Sequence, residues 1–246
     1  MTHPVRFRVI GAGRAGRSLT SALVGAGWDH LGFLGRHDDP SSALDGVDLL
    51  VIATPDDAIA SVAAAVKPHD RAVIAHLAGS LGLDVLAPHR RTAALHPLVS
   101  LPDPEVGAIR LAAGAWFAVA GDPLVQRAVA DLDGRWFEVS DPDRAAYHAA
   151  AVVASNHLVA LYGQVERIAD GIGVPAEAYL DLARATLVNV AEMGAASALT
   201  GPAARGDWAT LVRHLAALDP EEHDAYRALA AAARRLVADA GLPPDL

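Results

Sequence analysis

Three glycines near the start of the chain have the spacing of a turn that binds phosphate groups. Gly11, Gly13 and Gly16 follow a short apolar strand, which we place at Phe7 to Ile10, and a helical pattern begins directly after them. In such a unit the first glycine allows the tight turn, the second lets the backbone approach a pyrophosphate, and the third lets the helix pack closely on the strand. The N–H groups at the helix N-terminus attract the phosphates. We predict a dinucleotide-binding turn rather than an ordinary glycine turn, formed by Gly11, Ala12, Gly13, Arg14, Ala15 and Gly16.

The end of the second apolar strand indicates which dinucleotide is bound. Chains that bind NAD place an acidic residue there for the ribose 2′-hydroxyl, whereas chains that bind NADP accommodate the 2′-phosphate with an arginine. The strand His30 to Leu34 leads to Arg36, and the first carboxylates, Asp38 and Asp39, come later in the following loop. A guanidinium matches the geometry of phosphate oxygens. The sequence therefore favours NADP, and a solvent-exposed surface arginine is the alternative.

Further polar residues follow the next strands of this region. Thr54 and Pro55 come after one buried strand, Ser80 after another, and His96 at the end of a third. Because ligands of open α/β sheets lie outside the carboxyl ends of the strands, we expect Thr54 and Pro55 to border the cofactor. His96 titrates near neutrality and is a candidate proton donor, or else a structural histidine. His76 lies inside a strand, where we expect a hydrogen-bonded core residue.

Polar residues also interrupt two later segments. At about 100° per residue, His148 and Ser155 lie on one stripe of an apolar helix, with Asn156 at its edge. A helix this apolar is expected to be mostly buried, so these groups form either a substrate-facing stripe, which we favour, or a polar network. Thr200 precedes a Gly-Pro helix break that leads to Arg205. Arg205 is a candidate partner of a substrate carboxylate or of a neighbouring subunit, and the alternative is a purely structural turn.

The apolar pattern assigns these residues to two regions. Strands alternate with helices up to about Ser140, which predicts a parallel sheet with right-handed crossovers. Asp141 is a good N-cap and Pro142 a good first helical residue, and after them we find only helices. We expect these at residues 143–170, 175–199 and 208–218, and then from a cap at Asp219 to about Gly241. The predicted fold is α/β: a Rossmann-like doubly wound parallel sheet in residues 1–140, followed by an all-α domain in residues 141–246.

Composition excludes several other functions. The 246 residues carry 20 basic and 29 acidic side chains, a net charge of −9, which argues against nucleic-acid and anionic-membrane partners. Without cysteine there is no disulfide, thiolate nucleophile or cysteine-bound metal, and we predict no metal site. The single lysine, Lys67, is expected at the amino end of a strand, so a lysine acid at the carboxyl edge is excluded. No signal-peptide pattern opens the chain, and the apolar stretch from Ala145 to Leu161 is too polar for a clean span, so we expect a cytoplasmic protein.

Together these motifs resemble the 6-phosphogluconate-dehydrogenase-like superfamily, which includes pyrroline-5-carboxylate reductase, 3-hydroxyisobutyrate dehydrogenase and ketopantoate reductase. The chain is most similar to a two-domain family in which a Rossmann-like NADP domain precedes a helical domain of unknown function. In the hydroxyacid dehydrogenases of the superfamily a helix carries a catalytic lysine and, four residues later, an asparagine. Asn156 matches that asparagine, but the lysine position falls on Val152. The segments that carry the resemblance are Gly11–Gly16, Thr54–Asp56, Leu95–Pro97, Tyr147–His148, Ser155–Asn156, Leu199–Pro202 and Arg205–Asp207.

The resemblance implies an NADP(H)-dependent oxidoreductase that acts on a small carbonyl or imine acid, with ketopantoate as one candidate substrate. Without a lysine, the expected proton donor is His148 or His96, and Asn156 would bond the substrate oxygen. Ser155, Thr200 and Arg205 are the expected substrate-binding residues. The resemblance and the apolar C-terminal helices also predict a homodimer formed through those helices. The alternative is a catalytically inactive NADP-binding sensor or scaffold.

Overall fold

The computed structural model describes residues 3–237, which form two compact units. The first unit ends at Ser155 and the second begins at Asn156. The first unit contains the whole sheet and also the helix that follows it, so it extends beyond the boundary expected near Ser140. In the described part of the second unit the regular elements are all helices.

The first unit is built on one seven-stranded sheet with the order β2-β1-β3-β4-β5-β6-β7. Neighbouring strands from β2 to β5 are all parallel. The central strands β3 and β4 are buried at every position, as expected for continuous apolar runs covered on both faces. The doubly wound Rossmann-like fold is thereby confirmed. The strands are β1 (Arg6–Ile10), β2 (Asp29–Leu34), β3 (Leu49–Ile52), β4 (Val73–His76), β5 (Thr92–Pro97), β6 (Trp116–Gly121) and β7 (Arg135–Glu138).

Five helices accompany the sheet, and a buried core lies on each of its faces. One core contains Leu19, Leu23 and Phe117, and the other contains Ile59 and Leu86. The helices are α1 (Arg14–Gly25), α2 (Asp56–Ala65), α3 (Pro104–Leu111), α4 (Leu124–Asp131) and α5 (Arg144–Val152).

The expectation of an all-parallel sheet is wrong for β6, which runs antiparallel to β5. The chain leaves β5 and enters β6 at the same edge of the sheet, where the amide of Leu98 donates to the carbonyl of Trp116 at 2.8 Å. Between them lies α3, a short helix that the sequence analysis does not predict and that packs against α1. A parallel pair needs a crossover to the opposite edge, and this connection returns to its starting edge instead.

The start of α5 also differs from expectation. Asp141 does not cap a helix, because it lies inside a 3₁₀ turn, Asp141–Asp143, that begins after Ser140. Its carboxylate instead accepts a hydrogen bond from the amide of Leu83 at 3.2 Å. The predicted continuous helix over residues 143–170 is likewise interrupted, since a π-helical turn, Val153–His157, follows α5.

The second unit contains short and medium helices around a small core of Ala203, Leu211 and Ala230. The helix predicted for residues 175–199 is divided at Gly194, whose φ of +79° ends α7. Asp219 caps a turn as expected, accepting from the amide of Glu221 at 2.9 Å. The expected end of the last helix near Gly241 lies outside the described residues. The helices are α6 (Leu158–Gly171), α7 (Ala176–Met193), α8 (Ala195–Ala198), α9 (Pro202–Arg205), α10 (Trp208–Ala217) and α11 (His223–Val237).

Candidate active site

The glycine turn between β1 and α1 is packed closely at its first and third glycines. Gly11 has a φ of +104°, and a Cβ added to it would lie 2.6 Å from the carbonyl oxygen of Ala53. A Cβ added to Gly16 would overlap the carbonyl oxygen of Gly11 and lie 3.3 Å from Cγ1 of Val9. These two glycines are therefore required by the fold, as the spacing predicts.

Gly13 is different, because the folded chain gives no reason for a glycine there. Its φ of −74° and ψ of −172° are ordinary extended values, and apart from its two neighbours in the chain no described residue has an atom within 4 Å of an added Cβ. Gly13 is the N-cap of α1 and provides no side-chain acceptor, so the first amides of this twelve-residue helix face the open space without a capping partner. Open space, uncapped amides and a helix dipole together suit a pyrophosphate.

Arg36 lies at the same edge of the sheet as this turn. The amide of Gly11 donates to the carbonyl of Leu34 at 2.9 Å, which ties the glycine turn to the end of β2. Arg36 follows two residues later and is exposed. The amide of Gly35 donates to Asp38 at 2.7 Å, so this carboxylate folds back on the turn.

Thr54, Pro55 and Ser80 continue the same edge after β3 and β4. Thr54 is partly exposed, and Pro55 is the N-cap of α2. The hydroxyl of Ser80 donates to Asp56 at 3.2 Å. These three residues therefore lie at the same carboxyl edge of the sheet as the glycine turn.

His96, Tyr147 and His148 converge at the end of β5. Nδ1 of His96 and the hydroxyl of Tyr147 are 2.5 Å apart, and the rings of His96 and His148 meet edge to face with centroids 5.8 Å apart. All three side chains are partly exposed. His96 and His148 lie against Gly79, where an added Cβ would lie 2.6 Å from Cδ2 of His148 and 3.0 Å from Nε2 of His96. The missing side chain of Gly79 thus makes room for both imidazoles.

Burial determines the protonation of this cluster. Burial, and then the charges of His148 and Arg144, lower the pKa of His96 to about 4, so its ring is neutral at physiological pH. Burial also raises the pKa of Tyr147 to about 12, so the phenol keeps its proton. A protonated phenol is a donor and a neutral imidazole nitrogen an acceptor. We therefore assign the Tyr147 hydroxyl as donor to Nδ1 of His96 and place the histidine proton on Nε2.

Arg144 and His76 lie buried beside this cluster. Arg144 has 0% of its surface exposed, and its Nε is 3.4 Å from Oδ1 of Asp141. His76 is also fully buried; one ring nitrogen is 3.2 Å from the carbonyl oxygen of Gly82, while Nδ1 forms no hydrogen bond with the described residues. His76 is thus only partly satisfied as a core residue. Burial lowers its pKa, and the charge of Arg144 adds to this.

The structure joins only some of the predicted site residues. It brings His96 and His148 together, and it adds Tyr147 and Arg144, which the sequence analysis did not select. Their spacing in the sequence could have identified them, because Tyr147 and His148 follow Arg144 by three and four positions and so lie on one helix face with it. Ser155 lies in the exposed π turn, so the expectation of a mostly buried helix is wrong there.

The remaining predicted substrate residues belong to the second unit. Asn156, Thr200 and Arg205 are all exposed. Arg205 ends α9, and the next helix is capped by Asp207, which accepts from the amide of Thr210 at 3.1 Å. Among the described residues no group of three His, Asp or Glu side chains could hold a metal ion. No helix between residues 3 and 237 has the length and apolar character needed to cross a membrane.

Comparison with known protein families finds one match. Residues 117–233 match the sequence profile of DUF2520, a domain of unknown function. No match was found among curated proteins. The matched segment includes β6 and β7 of the sheet as well as the helices that follow, and it agrees with the resemblance to a family that contains a domain of unknown function.

Several solved structures share the fold over nearly the whole chain. BF3122 from Bacteroides fragilis, described as a candidate NADP oxidoreductase, has a TM-score of 0.81 and 20% identity, covering 94% of this chain and 98% of that one. TM1727 from Thermotoga maritima has a TM-score of 0.70 and 22% identity, with the same coverages of 94% and 98%. A reductive aminase from Aspergillus terreus, in complex with NADPH4, cyclohexanone and allyl amine, has a TM-score of 0.71 and 15% identity, covering 95% and 94%. At these identities the likeness shows the fold.

Proposed function

We propose that this chain, in which a Rossmann-like domain leads into a DUF2520 domain, is an NADPH-dependent reductase of a small carbonyl or imine acid. One observation carries the proposal: the open space at Gly13 and the His96–Tyr147–His148 cluster lie along the same carboxyl edge of one sheet. The first suits a dinucleotide phosphate, and the second offers a proton donor. Structures with this fold include a reductive aminase and an imine reductase, both described in complexes with NADPH or NADPH4.

The cofactor assignment rests on the segments that follow β1 and β2. The uncapped amides of α1 would hold the pyrophosphate, with Gly11 to Gly16 as the turn and Thr54 and Pro55 beside it. Arg36 would hold the 2′-phosphate, because it is exposed beside that turn and carries a full positive charge. NADPH, when bound, supplies the hydride; the chain supplies position, a proton and charge stabilisation.

The histidine and tyrosine would then deliver the proton. In our assignment Nε2 of the neutral His96 ring carries a hydrogen and Tyr147 donates to Nδ1 at 2.5 Å. As Nε2 gives its proton to the substrate oxygen or nitrogen, Nδ1 can take the phenolic proton, which leaves His96 neutral and Tyr147 as a phenolate. The phenolate then regains a proton from solvent, and no imidazolium forms at His96, where burial disfavours it. His148, whose ring meets that of His96, lies beside it against Gly79.

We assign substrate contacts to residues of the second unit from their sequence motifs. Asn156 would bond the substrate oxygen, Arg205 the carboxylate, and Ser155 and Thr200 the remaining polar groups. Ketopantoate is one candidate substrate of this chemical class. The lack of cysteine suits a cytoplasmic location, which we also propose.

The helical unit supports a homodimer. Large apolar side chains of α6 and α7 are exposed on the single chain, among them Val159 at 72%, Leu182 at 64% and Met193 at 51%. A two-fold interface would bury the same patch on both chains. Light scattering at micromolar concentration tests this directly, and a monomer would contradict it.

The function is tested with a pair of glycine variants. Gly13→Ala should lower stability only slightly, because its methyl group meets no described atom beyond the neighbouring residues within 4 Å, although alanine is a poorer N-cap than glycine. It should nevertheless weaken NADPH binding about tenfold or more, about 1.4 kcal/mol, since the methyl group occupies the space assigned to the pyrophosphate. Gly16→Ala is the contrast, because it clashes within the fold and should lower stability as well.

Turnover separates the reductase from the alternative of a sensor or scaffold. The exposed apolar helices would also serve a scaffold. The parent protein is incubated with NADPH and a pool of small keto acids and cyclic imines, and NADPH absorbance is followed. Oxidation that is lost in His96→Gln supports the reductase; tight NADPH binding without oxidation supports the sensor. Unchanged NADPH binding by Gly13→Ala would overturn the cofactor site itself.

A further inference from the structure

Arg144 is an unusual core residue, because a charged group this deeply buried normally has hydrogen-bond partners. None of its surface is exposed. Its Nε, Nη1 and Nη2 atoms form no hydrogen bond with any residue from 3 to 237. Its only ion pair among those residues is the 3.4 Å approach of Nε to Asp141. An apolar side chain of similar size would be easier to bury, so stability alone does not explain an arginine here.

The position of Arg144 points to the reactive cluster. Tyr147 and His148 follow it by three and four residues, so all three share one face of α5. Asp141, the partner of Arg144 in the ion pair, is also held in place. Asp141 accepts from the amide of Leu83, and an added Cβ at Gly82 would lie 2.8 Å from the Asp141 carboxyl carbon. The pair therefore connects the loop after β4 to the first turn of α5.

We propose that Arg144 is a positioning residue that acts through Tyr147 and His96. Held by Asp141, it fixes the helix face that brings Tyr147 to His96, and its buried positive charge stabilises the phenolate that forms as the Tyr147 proton moves to His96. The proposal rests on the proton path proposed above, and Arg144 itself touches neither substrate nor cofactor.

The charges around His96 allow the inference to be tested through the pKa of His96. His96 is faced by Tyr147, His148 and Arg144 from α5, by His76 from β4, and by Asp56 from α2, with Asp141 behind Arg144. Arg144, His148 and His76 lower the pKa of His96, and Asp56 raises it. Arg144 also lowers the pKa of Tyr147, against the larger effect of burial. Removing the charge of Arg144 should therefore make His96 easier to protonate.

The test is a histidine titration by NMR, which requires no cofactor. Uniformly labelled full-length protein is titrated, and the His96 ring signal is identified by its loss in His96→Gln. Arg144→Met, which keeps the length without the charge, should raise the His96 midpoint by about half a pH unit or more, as for one nearby charge in a partly buried site. Arg144→Lys keeps the charge and should leave the midpoint low. Arg144→Gln replaces the methionine variant if that variant does not fold.

Asp141→Asn provides the opposite perturbation. It removes the counter-charge and leaves that of Arg144, so the His96 midpoint should fall below its value in the parent protein. Simple loosening of α5 would expose His96 and raise the midpoint in both variants. Upward movement in both, or an unchanged midpoint in folded Arg144→Met, overturns the inference. A parent protein that does not bind or oxidise NADPH would instead count against the proposed function. Failure of the inference on Arg144 and failure of the proposed function are therefore distinguishable.

Discussion

Acidification should destabilise the first unit through His96, by an amount that the structure allows to be worked out. In the unfolded chain the imidazole titrates near 6.5, whereas in the fold its pKa is about 4. Between these values the unfolded state binds more protons, so this contribution to stability is complete above pH 6.5 and is lost as the pH falls towards 4. The interval is about 2.5 pH units, which at about 1.36 kcal/mol per unit amounts to about 3 kcal/mol.

The assay is urea unfolding of the parent protein and of His96→Gln at pH 7 and at pH 4. Tryptophan fluorescence is a suitable signal, because Trp28, Trp116 and Trp136 belong to the first unit and Trp28 is buried in its core. Between the two pH values the parent protein should lose about 3 kcal/mol more than His96→Gln does. His76 also has a pKa lowered by burial and remains in both proteins, so its contribution cancels.

A matched control separates this effect from the general loss of a histidine. His37→Gln changes an exposed side chain in the turn after β2, and this variant should follow the pH dependence of the parent protein. If the parent protein and His96→Gln lose the same free energy of unfolding between pH 7 and pH 4, the burial and neutrality of His96 are refuted, and the proposed proton path with them.

Two further predictions concern the cofactor and the packing of the histidines on Gly79. Arg36→Ala should weaken NADPH binding by about 1.5–3 kcal/mol, the range for hydrogen bonds to charged groups, and leave NADH binding nearly unchanged; calorimetric titration with both dinucleotides checks this, and equal losses would remove the 2′-phosphate assignment. Gly79→Ala should displace the rings of His96 and His148, lower stability by about 1–3 kcal/mol and reduce turnover, whereas Gly25→Ala, which meets no described atom within 4 Å, should be neutral or slightly stabilising.

The glycine turn between β1 and α1 could be predicted from sequence because its determinants are local. The spacing of Gly11, Gly13 and Gly16 after a strand already specifies the turn, and the structure shows the close contacts that require two of them. Asp219 is a similar case, since a cap depends on its immediate neighbours. The alternation of strands and helices was equally readable over most of the first unit.

The rest depends on contacts between distant parts of the chain. The direction of β6 depends on where the connection from β5 returns, which no local pattern records. Asp141 looked like a cap, but its carboxylate is engaged by Leu83, fifty-eight residues away. The pairing of His96 with Tyr147 spans fifty-one residues. Sequence reasoning could select His96 as a titratable group but could not determine which partner sets its protonation.

At Gly13 the sequence requirements of folding can be distinguished from those of ligand binding. Since its dihedral angles suit any residue and the described chain leaves room for a side chain, folding places no steric constraint on this N-cap position. A library of variants sorted only for folded protein should therefore accept many residues at position 13 but retain glycine at positions 11 and 16. The same library sorted for ligand binding should retain glycine at all three. The difference between the two substitution profiles would thus report the ligand's own footprint on the turn, independently of the fold that carries it.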